Sequence, residues 1–103
     1  MPTLHYTPSA ARTLHRLERG RRADPCRLRR VRRALDHLAA DPLHPGLRTH
    51  RYHALPGHEH TAAWTSYINR GTDAWRIHWT WGPADGDNQD GAVVTVLLIG
   101  PHL

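Results

Sequence analysis

The chain contains no lysine and no phenylalanine, and Cys26 is the only cysteine among its 103 residues. One cysteine cannot form an intrachain disulfide, so the fold must be held without such bridges, and a reducing compartment is expected. No apolar run reaches the roughly 20 residues of a membrane-spanning helix. The N-terminal residues also lack the basic and apolar segments of a secretory signal. These absences predict a soluble, cytoplasmic protein with no membrane association.

Basic residues outnumber acidic ones, and all of the basic residues except histidine are arginine. Fourteen arginines face nine acidic residues, which gives a net charge of +5 with the ten histidines neutral. The guanidinium group binds phosphate or carboxylate at two points, which an ammonium group cannot do. A nucleic acid or an acidic protein is therefore the expected kind of partner. Codon bias in a GC-rich genome is an alternative reason for the absence of lysine, but it does not explain the net charge.

Two helices are predicted in the first half of the chain. Thr7-Pro8 and Asp24-Pro25 each combine an N-cap residue with a proline at the first helical position. Gly20 and Asp41-Pro42 provide the corresponding stops. The second helix has one continuous apolar stripe, formed by Leu28, Val31, Leu35 and Leu38. Its other faces carry five arginines, which either form a solvated surface or contact phosphate or an acidic partner.

The remainder of the chain after the Pro45-Gly46 turn is strand-like. β-branched and aromatic residues concentrate in segments that Asn, Gly and Pro turn signals separate. The predicted extended segments, including one near the N-terminus, are Leu4–Tyr6, Leu47–Tyr52, Thr61–Asn69, Ala74–Trp81 and Ala92–Ile99. The last is almost continuously apolar, which is typical of a central strand covered on both faces.

The order of these elements predicts a single α+β domain over residues 1–103. It consists of a short N-terminal strand, a two-helix hairpin and a three-stranded antiparallel meander. Both helices are expected on one face of the sheet, which leaves the other face open. Arg76 and His78 alternate with apolar residues along one strand, so both are expected on the open face.

Several local segments together resemble the RelE/ParE toxins of bacterial type II toxin–antitoxin systems. The segments are Leu-Ala-Ala-Asp-Pro at 38–42, Leu-Arg-Thr-His-Arg-Tyr at 47–52, Ala-Trp-Arg-Ile-His-Trp at 74–79 and Ile-Gly-Pro-His at 99–102. Their order and spacing carry the resemblance, which covers nearly the whole chain. It implies the toxin fold described above and a cognate antitoxin as partner. Members of the RelE branch cleave mRNA, typically on the ribosome, whereas ParE members act on DNA gyrase and lack a catalytic set.

The residue types needed for RNA cleavage are present in positions that could converge. Such cleavage needs a base for the ribose 2′-OH, an acid for the departing 5′ oxygen and a cation for the phosphorane. Histidine suits the first two roles because both of its protonation states exist near neutral pH. By likeness to RelE nucleases, the base is His50 or His53, the phosphate clamp is Arg76 and the acid is His102. The expected substrate contacts are Arg51, Tyr67 and His78, with Asp73 as a further positioning candidate.

Other interpretations of these residues stay open at this stage. His50 and His53 could simply decorate an exposed strand, and Arg76 could pair with a carboxylate such as that of Asp73. The histidine spacings do not match an ordered metal site, so neither a metal nor another cofactor is expected. The functional alternatives are a non-catalytic, ParE-like toxin directed at gyrase and a degenerate basic module that binds RNA or protein.

Overall fold

The computed structural model describes residues 2–71, 74–82 and 93–101. The elements in chain order are β1 (Thr3–Tyr6), α1 (Pro8–Glu18), α2 (Pro25–Ala40), a 3₁₀ turn (Pro45–Leu47), β2 (His50–Tyr52), β3 (Ala63–Tyr67), β4 (Trp75–Trp81) and β5 (Val93–Pro101). Two helices accompany one five-stranded mixed sheet. The predicted α+β class is therefore confirmed.

Both helices begin at the N-caps that the sequence predicts. The hydroxyl of Thr7 accepts the Ala10 N–H at 3.2 Å, and the carboxylate of Asp24 accepts the Arg27 N–H at 3.1 Å. Each bond satisfies one of the backbone donors that a helix N-terminus leaves without an intrahelical partner. The apolar stripe of α2 is buried as predicted, through Val31, Leu35 and Leu38 among others. Neither helix in the described residues is long and apolar enough to cross a lipid bilayer.

Each of the five predicted extended segments overlaps one strand, and the five strands form one sheet. Its order is β1-β5-β4-β3-β2, with β1 parallel to β5 and each of the other neighbouring pairs antiparallel. The prediction comprised a three-stranded meander and a separate N-terminal strand. The predicted strand Leu47–Tyr52 is shortened, because Pro45–Leu47 forms a 3₁₀ turn and Arg48 takes a left-handed conformation. The two helices connect β1 to the rest of the chain, which allows β1 to run parallel to β5.

Each face of the sheet carries its own apolar cluster. The larger cluster joins α1 and α2 to the sheet face that bears Ile77 and Trp79. A smaller cluster of Leu55, Ala63 and Leu97 lies apart from it. Leu55 belongs to the segment after β2, so this segment covers part of the face that was expected to be open. The part of this sheet face that solvent can reach is therefore narrower than predicted.

A directed chain of hydrogen bonds connects the buried sheet to the segment before β2. The indole N–H of Trp79 donates to the Ser66 hydroxyl at 2.9 Å, and the Ser66 and Thr49 hydroxyls lie 2.7 Å apart. Thr49 in turn donates to the carbonyl of Pro42 at 3.1 Å. Because a carbonyl oxygen only accepts, the Thr49 hydroxyl donates its proton to the Pro42 carbonyl. The Ser66 hydroxyl must therefore donate to the Thr49 oxygen. Trp79 and Ser66 are both completely buried.

Replacing Ser66 with alanine is expected to destabilise the fold, because the buried Trp79 N–H loses its acceptor. The expected cost is about 1–3 kcal/mol in the free energy of unfolding, measured by urea denaturation. The same Ser66→Ala change in a Trp79→Phe background should cost less, since the donor is already absent. Equal costs in both backgrounds would show that the indole bond contributes nothing.

Candidate functional site

Three of the residues singled out in the sequence meet at one end of the sheet. Tyr67 on β3 lies directly opposite Arg76 on β4. The Arg76 guanidinium carbon is 4.6 Å from the centre of the Tyr67 ring, and the His50 ring is 5.8 Å from the same ring, centre to centre. Tyr67 thus lies in contact range of both a predicted base and the predicted phosphate clamp.

Two further arginines complete a cationic cavity around Tyr67 and Arg76. The cavity has a volume of about 250 Å³, and Arg48 and Arg70 form part of its wall together with Gly71 and Ala74. Arg48 precedes β2, whereas Arg70 lies in the turn between β3 and β4. We call the group of Arg48, Tyr67, Arg70 and Arg76, with His50 beside it, the Tyr67 site.

The positive charge of the Tyr67 site is not neutralised by carboxylates in the described part of the chain. The ion pairs found there join Arg27 to Asp24 and Arg32 to Glu18, both on the helical layer. In addition, the Nε of Arg76 is buried and has no hydrogen-bond partner among the described residues. Such an unsatisfied donor is unusual in a folded protein and costs free energy. Three guanidinium groups around one cavity, one of them with an unsatisfied donor, are suited to binding a polyvalent anion.

The hydrogen bond of His50 assigns its neutral tautomer. Its Nδ1 lies 3.2 Å from the carbonyl oxygen of Arg48. A carbonyl only accepts, so Nδ1 carries the proton in this bond and Nε2 keeps its lone pair when the ring is neutral. An exposed imidazole that is oriented in this way can accept a proton from a bound ligand.

The backbone on both sides of the site explains how the loop arginines are presented. Arg48 has φ 49° and ψ 43°, a left-handed conformation that is uncommon for a residue with a Cβ. Its N–H closes the 3₁₀ turn on the Pro45 carbonyl. On the other side, the side-chain oxygen of Asn69 accepts the Trp75 N–H at 2.9 Å. This bond holds the turn that carries Arg70.

The structure does not bring Arg51, His53 and His78 to the Tyr67 site. Arg51 lies over the Trp64 ring and donates to the Ala63 carbonyl at 3.0 Å, because adjacent strand residues point to opposite faces. His53 is exposed beyond the end of β2 that is farther from Tyr67. His78 does share the sheet face of Arg76, but it is only 1% exposed.

The burial of His78 has a specific cause. Its Nδ1 is 2.7 Å from the Thr65 hydroxyl, and its ring meets the Tyr52 ring in a T-shaped contact with 5.0 Å between centres. Tyr52 itself packs against the apolar cluster that contains Leu55. A histidine enclosed in this way supports the sheet next to the site and has almost no surface for a substrate.

Two predicted residues, Asp73 and His102, lie outside the described residues, so their roles stay predictions. Among the described residues, no group of three or more His, Cys, Asp or Glu side chains could hold a metal ion.

The sequence analysis missed Arg48 and Arg70 as site residues. Their signals were present, since Arg48 lies two residues before His50 and Arg70 is part of the Asn-Arg-Gly turn after Tyr67.

Comparison with known proteins does not identify a family for this chain. No model of a known protein family matches it, and no curated protein is significantly similar to it. The chemical interpretation therefore depends on the geometry of the Tyr67 site. This site can hold an anion between two or three guanidinium groups, and an oriented imidazole lies beside it.

Arg48→Gly should remove one charge from the site while preserving the turn, because glycine adopts the left-handed conformation without a Cβ penalty. The relief of strain and the extra entropy of the unfolded chain are both about 1 kcal/mol and largely cancel. We therefore expect a small change in the free energy of unfolding and a several-fold weaker affinity for inorganic pyrophosphate, measured by NMR titration.

Ala54→Gly is the matched control, since Ala54 also has a left-handed backbone, with φ 57°, but carries no charge. It should reproduce the stability change and leave the pyrophosphate affinity as in the wild type. If both variants bind pyrophosphate as the wild type does, Arg48 is not part of an anion site.

Proposed function

We propose that this chain is an endoribonuclease of the RelE type, which cleaves mRNA by acid–base chemistry and is neutralised by a cognate antitoxin. The observation that carries the proposal is the placement of His50 and Arg76 against the same tyrosine ring, at 5.8 and 4.6 Å. Arg48 and Arg70 add charge at the same cavity. One RNA phosphodiester would balance this positive charge, which no carboxylate of the described residues pairs.

In the proposed reaction, Nε2 of His50 takes the proton from the ribose 2′-OH. The 2′ oxygen then attacks the phosphorus, and the bond from phosphorus to the 5′ oxygen breaks. Arg76, assisted by Arg48 and Arg70, binds the phosphoryl oxygens and stabilises the charge that develops on them. The departing 5′ oxygen receives a proton from His102, the acid predicted from the sequence. The products are a 2′,3′-cyclic phosphate and a free 5′-OH.

Tyr67 has a positioning role in this proposal. A guanidinium over an aromatic face is attracted by the electron density of the ring, by about 0.5–1 kcal/mol at exposed sites. The contact therefore restricts the directions in which Arg76 can point. Arg51 and His78, which were predicted as substrate contacts, take no part because one is held on the other face and the other is buried.

The toxin assignment draws on the resemblance in sequence and on the order of elements. A short N-terminal strand, two helices and antiparallel strands follow one another here, and this order supports the proposal. Under this proposal the antitoxin binds the basic surface, and the target is mRNA in the cytoplasm, with the ribosome as a second partner.

Cleavage of a single-stranded RNA oligonucleotide, with and without ribosomes, tests the chemistry. His50→Ala and Arg76→Ala should each lower the cleavage rate by about 100-fold or more, as expected for loss of a general base or of a charge clamp. Substrate with 2′-deoxyribose at the cleaved position should remain intact. Circular dichroism melting would show that each variant is folded.

His53→Ala is the matched control, because His53 was the other candidate base and lies away from Tyr67. Its cleavage rate should stay within a few-fold of the wild type. The reverse pattern, with His53 essential and His50 dispensable, would contradict the assignment of the base. Cleavage that is unchanged in the Arg76 variant would contradict the site itself.

Induced expression in bacteria tests the toxin role. The proposal expects growth arrest with cut mRNA, relieved by His50→Ala and by co-expression of an adjacent antitoxin gene. Growth arrest with DNA-damage signalling and intact mRNA would instead indicate a ParE-like action on gyrase. Normal growth would indicate a binding module without toxic activity.

A further inference from the structure

A second cavity lies between α2 and the segment that leads into β2. Its volume is about 460 Å³. Arg30, Arg33 and His37 form one wall, and their spacing of three and four residues places them on a single face of α2. His44 lies opposite them, at the start of the 3₁₀ turn.

This cavity adjoins the Tyr67 site. Tyr67 lines both cavities, and Asn69 in the second cavity directly precedes Arg70 in the first. Positive charge therefore runs from the α2 face across Tyr67 to Arg76. A ligand that occupies the Tyr67 site and extends past the tyrosine ring enters the second cavity.

The second cavity combines flat rings with unpaired positive charge. The rings of His37 and His44 lie 4.4 Å apart, centre to centre, and are tilted by 30°. His44 is fixed because its Nδ1 accepts the Gly46 N–H at 3.0 Å. Among the described residues, Arg30 and Arg33 take part in no ion pair. A nucleotide has the matching parts, namely a flat base and a charged phosphate.

The lining of the cavity distinguishes it from the other grooves on the helices. No Asp or Glu is found among the described residues around it. Two neighbouring grooves on the helical layer contain Asp36, and one of them also contains Glu18. A polyanion would meet repulsive carboxylates in those two grooves and meets none here.

We infer that this cavity is a second nucleotide-binding subsite for single-stranded RNA. Arg30 and Arg33 bind the phosphate next to the one held at Arg76, and the ring surfaces of His37 and Tyr67 contact the intervening base. The inference rests on the proposed function, since the RNA strand must already occupy the Tyr67 site. It adds that the strand runs towards α2, and that substrate affinity depends on arginines remote from the cleaved bond.

An acidic protein segment is the other class of ligand that unpaired arginines bind. The observations favour RNA because the cavity holds three aromatic rings, whereas its aliphatic lining is limited to Ala34, Leu47 and Ile68. Leu47 is 2% exposed and offers little surface to an apolar anchor. The binding test therefore includes a glutamate-rich peptide as the competing ligand.

The test is equilibrium binding of a fluorescent RNA hexanucleotide with 2′-O-methyl riboses, which cannot be cleaved through the 2′-OH. The Arg30→Gln/Arg33→Gln double variant is compared with Arg12→Gln/Arg16→Gln, which removes the same charge from exposed positions of α1. The first variant should bind roughly tenfold more weakly, as loss of charged hydrogen bonds predicts. Its slope of log affinity against log salt should also fall by about 1.4, the value expected for two lost contacts with a single strand.

The outcomes separate this inference from the proposed nuclease. Weak binding by the α2 variant alone supports the subsite, even if no RNA is ever cut. Equal affinities for the α2 and α1 variants overturn the subsite, and the nuclease proposal then stands or falls on its own cleavage test. An α2 variant that loses affinity for a glutamate-rich peptide but not for the hexanucleotide also overturns the subsite. Failure of the wild type to bind the hexanucleotide, together with no cleavage, overturns both.

Discussion

The buried hydroxyl of Ser66 is the point on which the geometry of the site depends. It accepts a hydrogen bond from the indole N–H of Trp79 and donates one to the Thr49 hydroxyl. One side chain therefore joins the packed interior to the segment before β2. Tyr67 directly follows Ser66 in the sequence, and Thr49 lies between Arg48 and His50. The segment that carries Arg48 and His50 is therefore hydrogen-bonded to the buried part of β3, which is in turn bonded to β4. A site that must hold reacting groups in register needs support of this kind.

The parts of the fold that follow from local chemistry were predictable from the sequence. An N-cap hydroxyl or carboxylate before proline marks both helix starts, and both predictions are confirmed. The alternation along β4 placed Arg76 and His78 on one face, where both lie. The apolar run of β5 predicted cover on both faces, and the strand does contribute to both apolar clusters.

The parts that depend on tertiary contact were not predictable. His78 is enclosed by the Thr65 hydroxyl and the Tyr52 ring, which come from two other strands. The placement of Arg51 is different, because strand alternation alone puts it on the opposite face from its neighbour His50. Arg48 and Arg70 lie in turns, where spacing carries no information about direction. Among the five arginines on α2, Arg30 and Arg33 line the cavity that also contains Tyr67. The apolar stripe predicted which face of α2 is buried, but it did not indicate which of the arginines beside it would lie near Tyr67.

The distribution of charge gives these arginines a common physical explanation. The carboxylates of Asp24 and Glu18 pair with Arg27 and Arg32 on the helical layer, away from Tyr67. Around Tyr67, the side chains of Arg48, Arg70 and Arg76 line one cavity, and like charges gathered in this way raise the free energy of a folded chain. If a polyanion binds there as proposed, it would offset this repulsion. Affinity at such a surface must fall steeply with salt, because the same ions that screen the repulsion compete with the ligand.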